Sequence, residues 1–297
     1  MFKEGAFRYP LAFYHEVFML KLTDIDFNAV WQETFGWNTD DKSGRKFDDR
    51  VESDFWVKLA PRYTEEYNLN HDTPLIAQRL QQLLGSGHSI LEIGCGSGNF
   101  TALMARYSKN ILGLDFSPAM LAVLQQRLLA EGIGNVQTQS GKWEDFTTDA
   151  AFDYIVSVNS LYRIRDMAAA LHKMNAYSRR GFIIVRTIQR PFFYRLYRDC
   201  GLDCAECPDY QLLPLLLWQQ GIKADVEFLH YTKIKSFTDI DAVSQEMCYD
   251  LSKKTFLTYR EPLLRRFQEQ ALMQDSAQQI SQPRTTVIIS VKKINLG

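Results

Sequence analysis

Residues 91–101 read Leu-Glu-Ile-Gly-Cys-Gly-Ser-Gly-Asn-Phe-Thr. A short apolar run, Ser89 to Ile93, leads into three glycines at 94, 96 and 98, and helix-compatible sequence from Phe100 to Arg106 follows at once. The run has the length and composition of a buried strand. Glycine lacks a Cβ and tolerates positive φ, so a glycine turn between strand and helix brings backbone close to a ligand. The helix start then offers unpaired N–H groups to that ligand. The stretch predicts a small-molecule cradle at the end of a central parallel strand.

Three further strands extend the pattern. Ile111 to Leu114 ends in Asp115, and Ser117 with Pro118 supplies an N-cap and a first helical residue. A carboxylate at that strand end can accept from both hydroxyls of a ribose. Asn135 to Thr138 reads as the next strand, followed by Ser140-Gly141-Lys142-Trp143-Glu144-Asp145-Phe146. Phe152 to Val158 then delivers Asn159, Ser160, Leu161 and Tyr162 to the carboxyl ends of the strands, where open α/β sheets hold their ligands. A dinucleotide fingerprint needs G-x-G-x-x-G. Here the spacing is G-x-G-x-G, and Asn99 stands where that pattern wants glycine.

With Glu92 two residues ahead of the glycines, residues 75–190 resemble, in order, the core of class I S-adenosylmethionine-dependent methyltransferases of the small-molecule type. The resemblance implies an α/β, Rossmann-like sheet of seven strands. That sheet is mostly parallel with an antiparallel last strand, has helices on both faces, and carries a helical N-terminal cap. It implies cofactor contacts from Glu92, Gly94, Cys95, Gly96 and Gly98, a ribose grip by Asp115, and neighbouring contacts from Phe116, Met120 and Asn159. In the loop after the third strand the family commonly has Gly-Asp-x-Glu-Asp, and this chain has Lys142 in place of the Asp. Either Trp143 packs on the adenine or it is a core aromatic; either Glu144 or Asp145 takes the exocyclic amine. The Asn-Pro-Pro-aromatic tetrapeptide of DNA and glutamine N-methyltransferases is absent, with Asn159-Ser160-Leu161-Tyr162 in its place, which reads against a DNA base as target.

Residues 1–72 are expected to form a helical arm and lid, and residues 73–297 the core, with a helical insertion at about 191–222. Phe13, Val17 and Leu20 fall at helical spacing, as do Phe27, Val30, Trp31 and Thr34, with Thr23 or Asp26 as cap. A helix is expected from Ser53 to Tyr67, with Phe55, Trp56, Leu59, Tyr63 and Tyr67 along one side. It resembles the family's lid helix, in which Tyr63 or Arg62 would reach the methionine end of the cofactor. Helices are further expected at 75–84, 168–178, 239–251 and 261–274, and strands at 181–187, 226–234 and 285–291. Gln274 to Gln282 reads as a loop.

Methyl transfer is an in-line displacement, and it demands proximity more than any fixed catalytic group. A nitrogen or oxygen acceptor has a proton to lose, and Tyr162, Tyr63 and His15 are candidates to take it, with pocket wall the preferred reading of each. The chain has 297 residues, formal charge -1 and 46% hydrophobic residues, a balance that argues against a general electrostatic grip on nucleic acid. No apolar stretch approaches the ~18 residues of a membrane span, and charges interrupt the first residues; a cytoplasmic location is expected. Cys200, Cys204 and Cys207 have the spacing of a cluster-binding signature. They lie after the fifth strand of a different fold, so idle thiols and no metal are expected, with Cys95 a small loop residue. The expected partner is a small-molecule acceptor, with S-adenosylhomocysteine as by-product. The rival readings are a catalytically silent cofactor-binding partner and a tRNA or protein methyltransferase.

Overall fold

A computed structural model describes residues 24–38, 44–63, 73–188, 192–202, 207–251, 253–274 and 276–293. The expected helix around Phe13 to Leu20, His15, Cys204 and the Arg62 side chain lie outside the described residues.

Two helices precede the sheet: α1 (Phe27–Thr34) and α2 (Asp49–Leu59). Asp26 caps α1 through bonds from Asn28 N–H and Ala29 N–H, and Asp48 caps α2 through Arg50 N–H and Val51 N–H. The lid helix thus starts four residues before the expected Ser53, because Asp48 supplies the cap. It ends early too. Pro61 enters a single 3₁₀ turn, Ala60–Arg62, that closes the helix.

The sheet comprises β1 (Ser89–Ile93), β2 (Asn110–Asp115), β3 (Val136–Ser140), β4 (Phe152–Val158), β5 (Ser178–Thr187), β6 (Asp225–Phe237), the short β7 (Leu272–Gln274) and β8 (Ala277–Lys292). Its order is β3-β2-β1-β4-β5-β8-β6, with β7 hairpinned onto β8. The first five strands are parallel, and β8 inserts antiparallel between β5 and β6. Around the sheet lie α3 (Thr73–Leu84), α4 (Thr101–Ala105), α5 (Pro118–Ala130), α6 (Met167–Tyr177), α7 (Tyr194–Asp199), α8 (Asp209–Gln219), α9 (Ile240–Asp250) and α10 (Lys253–Gln270).

Strand side chains alternate between faces, and both faces are packed. Leu91, Ile155, Phe182 and Ile184 meet α6 and α8 on one side, whereas Ile90, Val156, Ile183 and Val185 meet Ile76, Leu80 and Leu84 of α3 on the other. Each such buried aliphatic contributes about 1.5–3 kcal/mol. A further cluster, with Phe193, Phe237, Met247, Phe256 and Phe267, unites α7, α9 and α10 with the far ends of β6 and β8.

Two expectations are corrected at the C-terminal end. Residues 272–274 form β7 and do not continue a helix, and Gln274 to Gln282 is not a loop, because β8 begins at Ala277 and runs sixteen residues. The pairing of Phe237 with Gln278 through Leu229 with Thr286 satisfies that polar backbone. Among the described residues no helix is long and apolar enough to cross a membrane.

Candidate functional site

The carboxyl ends of β1, β2, β3 and β4 open into one cleft of about 1010 Å³, roofed by α2. Its floor is the turn from β1 to α4. Gly94, Gly96 and Gly98 have φ of 70, 54 and 86°. A Cβ on Gly94 would lie 2.1 Å from the Ser160 Cβ, so this turn and the end of β4 touch with no room for a side chain. Ser160 Oγ closes that contact by donating to Ile93 O at 2.6 Å.

Asp115 ends β2 beside the turn. Its Oδ2 accepts from Gly96 N–H and its Oδ1 from Ser117 N–H, both at 2.8 Å. Each carboxylate oxygen has about two acceptor sites, so each keeps one for a ligand hydroxyl. Burial raises the Asp115 carboxyl above its ordinary value, more than the two backbone bonds lower it. Glu92 is 2% exposed and accepts from Thr101 Oγ1 at 2.6 Å. Burial pushes its carboxyl up to about 8, against the Thr101 bond and with help from the Asp115 charge. Cys95 is buried with its thiol pushed well up by burial, which makes it inert.

Phe116 lines the cleft with Lys142 Nζ 5.8 Å and Arg163 Cζ 5.3 Å from its ring centroid. Lys142, the departure from the family pattern, forms an ion pair with Asp49 of α2, and Arg163 Nη2 donates to the other Asp49 oxygen at 2.8 Å. These bonds, the one from Lys142 first, hold the Asp49 carboxyl below its ordinary value although burial opposes them. Trp143 is 3% exposed, with Nε1–H on Ala170 O at 3.2 Å and its ring stacked on Phe146. Trp143 is thus packed into the wall of the cleft. Glu144 is exposed at the rim, Met120 is buried under the glycine turn, and Asn159 sits at φ 57° with its Oδ1 on Thr187 N–H at 2.8 Å.

One residue escaped the sequence reading. Glu52 of α2 is 1% exposed, and its carboxylate accepts from Arg45 Nε at 2.8 Å, Trp56 Nε1 at 2.7 Å and Tyr162 Oη at 2.5 Å. Burial pushes Glu52 up, yet the three donors together hold it below its ordinary value. Tyr162 is therefore a donor to Glu52, and burial followed by that carboxylate raises its phenol well above the usual range, which favours wall over base. Tyr63 follows the 3₁₀ turn, lines the cleft and lies 6.2 Å from the Trp56 ring. The available signal for Glu52 was its place on the 52-55-56-59-63 stripe, where a carboxylate interrupts aromatic and aliphatic residues.

The Asp49 contacts act as a clasp on α2. Exposed ion pairs contribute little to global stability, so Asp49→Asn is expected to shift the unfolding free energy by less than about 1 kcal/mol. Amide exchange over residues 49–59 should nevertheless accelerate by local opening. Unchanged exchange there would show that the apolar stripe alone holds the helix.

Among the described residues no group of three or more His, Cys, Asp or Glu could hold a metal.

Residues 90–181 match the family model described as a methyltransferase domain. An uncharacterized protein of Haemophilus influenzae is 26% identical over 177 residues, 59% of this chain and 65% of that protein. The magnesium-protoporphyrin O-methyltransferase of Rhodobacter capsulatus is 31% identical over 91 residues, 30% of this chain and 40% of that enzyme. The chain thus spans less than two thirds of the length of these curated relatives. The crystal structure of the YcgJ protein from Bacillus subtilis covers 76% of this chain and 99% of its own, with TM-score 0.50 and 14% identity, a likeness of fold.

Proposed function

We infer, from the match of residues 90–181 to the methyltransferase-domain model, that this chain binds S-adenosylmethionine along the glycine turn and transfers its methyl group to a small-molecule acceptor beneath α2. The observation that carries the reading is the coupling of Asp115 to the turn through Gly96 N–H. It sets a two-pronged acceptor where a ribose would meet the backbone. The carboxylates of Glu52 and Asp115 line the same cleft, which suits a donor that carries sulfonium and ammonium charge.

When bound, the cofactor supplies a methyl already activated by its sulfonium charge. The chain's own residues bind, orient and exclude water. Asp115 holds the sugar, Phe116 and Met120 flank the purine, and Tyr63 and Trp56 close the methionine end under the lid. Holding acceptor and methyl in line at near-attack distance is worth roughly 7–11 kcal/mol, so no fixed base has to be invoked. The aromatic roof supports a small, partly apolar acceptor.

Wild-type protein given a metabolite extract should convert S-adenosylmethionine to S-adenosylhomocysteine. Binding of the product without turnover across broad extracts would favour a silent cofactor-binding partner. Asp115→Ala should weaken S-adenosylhomocysteine binding by about 1.5–3 kcal/mol, roughly ten- to a hundredfold. Calorimetry showing unchanged affinity would remove ribose recognition from this account.

A further inference from the structure

In the β6–β8 ribbon, β6 is the last strand of the sheet, and among the described residues only β8 lies beside it. It has 13 residues and pairs with β8 without a break in register. Its outer edge presents a row of backbone N–H and C=O groups that a further strand can use. Proteins usually blunt such an edge by keeping the strand short, by a bulge or by proline, and β6 has none of the three.

The ladder shows which groups face that edge. The carbonyl of Thr285 accepts from Ile188 N–H at 2.8 Å, on the side of β8 away from β6. The opposed pair of His230 and Thr285 therefore exchanges no ladder bonds, and such pairs alternate along an antiparallel ladder. Thr232 is turned outward by the same rule. It stands opposite Pro283, which has no N–H to give. His230, Thr232 and Ile234 thus direct backbone N–H and C=O to the free edge.

Charge is the remaining device against pairing, because lysines along an edge repel a second copy. Lys233 and Lys235 would serve that end if they stood alone. Asp225 and Glu227, however, mirror them about His230. Two copies paired antiparallel about a two-fold axis at His230 set Asp225 opposite Lys235 and Glu227 opposite Lys233, and the axis repeats each pair. All four lie on the odd-numbered face of the strand, and opposed residues share a face. A slide of two residues one way sets Glu227 opposite Tyr231; the other way sets Asp225 opposite Phe237. None of these charges has to be unpaired. Glu227 already binds Arg79 of α3, Lys235 binds Glu246 of α9, and Lys233 is engaged as well. Charges of a second copy extend such pairs into networks of alternating sign.

On the even-numbered face Phe228, His230, Thr232, Ile234 and Ser236 are all exposed. In the register centred on His230, Phe228 of one copy lies diagonal to Ile234 of the other, within reach of an aromatic ring. These side chains, 48% and 41% exposed in the single chain, then cover each other.

We propose that β6 is the seam of a two-fold homodimer, in which two copies of this chain join their sheets edge to edge, antiparallel about His230. Lys233 and Lys235 also line the cleft, so Asp225 and Glu227 of the second copy adjoin its outer end. The seam is independent of the methyl-transfer reading.

Sedimentation equilibrium of the full chain over a dilution series tests it. The wild type should reach twice the chain mass. Asp225→Lys sets lysine opposite lysine, and Lys235→Glu sets acid opposite acid; each alone should weaken self-association roughly tenfold or more. Mixed in equal amounts, the two variants should form a heterodimer, because both opposed pairs are then attractive. Thr232→Pro removes an outward N–H and should leave a monomer. Circular dichroism checks the fold of each variant. Should Lys235→Glu fail to fold, Asp225→Lys and Thr232→Pro, both at exposed positions, decide the matter. A wild type that stays monomeric at every concentration overturns the seam. So does a dimer that Asp225→Lys and Thr232→Pro leave intact, and so do two weakened charge variants that fail to recover on mixing.

Discussion

Gly181→Ala lowers the unfolding free energy by about 2–6 kcal/mol, the sum of backbone strain at a disfavoured φ and of forced overpacking, each about 1–3 kcal/mol. Gly181 lies in β5 at φ 140°, and a Cβ there would fall 1.8 Å from the carbonyl oxygen of Val291 and 2.9 Å from its carbon. Both are backbone atoms of β8, which pairs with β5 in this register. A side chain could swing aside, but this carbonyl cannot move without undoing the ladder that closes the sheet. Position 181 lies at the amino end of β5, away from the cleft, so the folded fraction should bind S-adenosylhomocysteine as before. Urea titration reads the loss as a lower midpoint at unchanged slope. A loss below about 1 kcal/mol would mean that the β5–β8 register gives way more easily than its pairing indicates.

The second large effect is a pH dependence set by Glu92. Its carboxyl moves from an ordinary 4.5 to about 8 in the fold, with burial the main cause. The folded state therefore holds a proton that the unfolded chain has released across this window. Where the native state binds more protons, stability falls as pH rises. The contribution is complete below about 4.5, declines by about 1.4 kcal/mol per pH unit, and is exhausted above about 8. Asp115, also raised by burial, adds a slope of the same sign. Glu92→Gln keeps an acceptor for Thr101 and has nothing to titrate. It should flatten the stability profile between pH 5 and 8 and exceed the wild type most at pH 8. Denaturant titrations of both proteins at several pH values make the comparison; parallel profiles would show that Glu92 is ionised in the fold.

The parts of the fold visible in the sequence are those where the core writes a period into it. Ile90 and Leu91 pack on opposite faces of the sheet, so β1 has to be a continuous apolar run. Each such run ends where the backbone turns into the cleft, at Gly94 or Asp115. The first half of β8, read as a loop, left no such trace, because Gln278, Gln282 and Arg284 share one face there with a single aliphatic residue, Ile280. Asp49 with Lys142, and Glu52 with Tyr162, are pairs separated by 93 and 110 residues. Spacing along the chain carries no information about such partners. What the sequence offered at Glu52 was a misfit, a carboxylate on an aromatic stripe, and that misfit marks a buried side chain with three donors, Arg45, Trp56 and Tyr162.

The separate cluster behind the ribbon has an engineering consequence. Phe192, Phe237, Met247 and Phe267 pack with one another and apart from the two layers that sandwich the central strands. Distant, unconnected substitutions add nearly independently. Phe192 of this cluster also lines the cleft, so a change of girth there is expected to reshape the cleft's outer end while S-adenosylhomocysteine affinity stays unchanged.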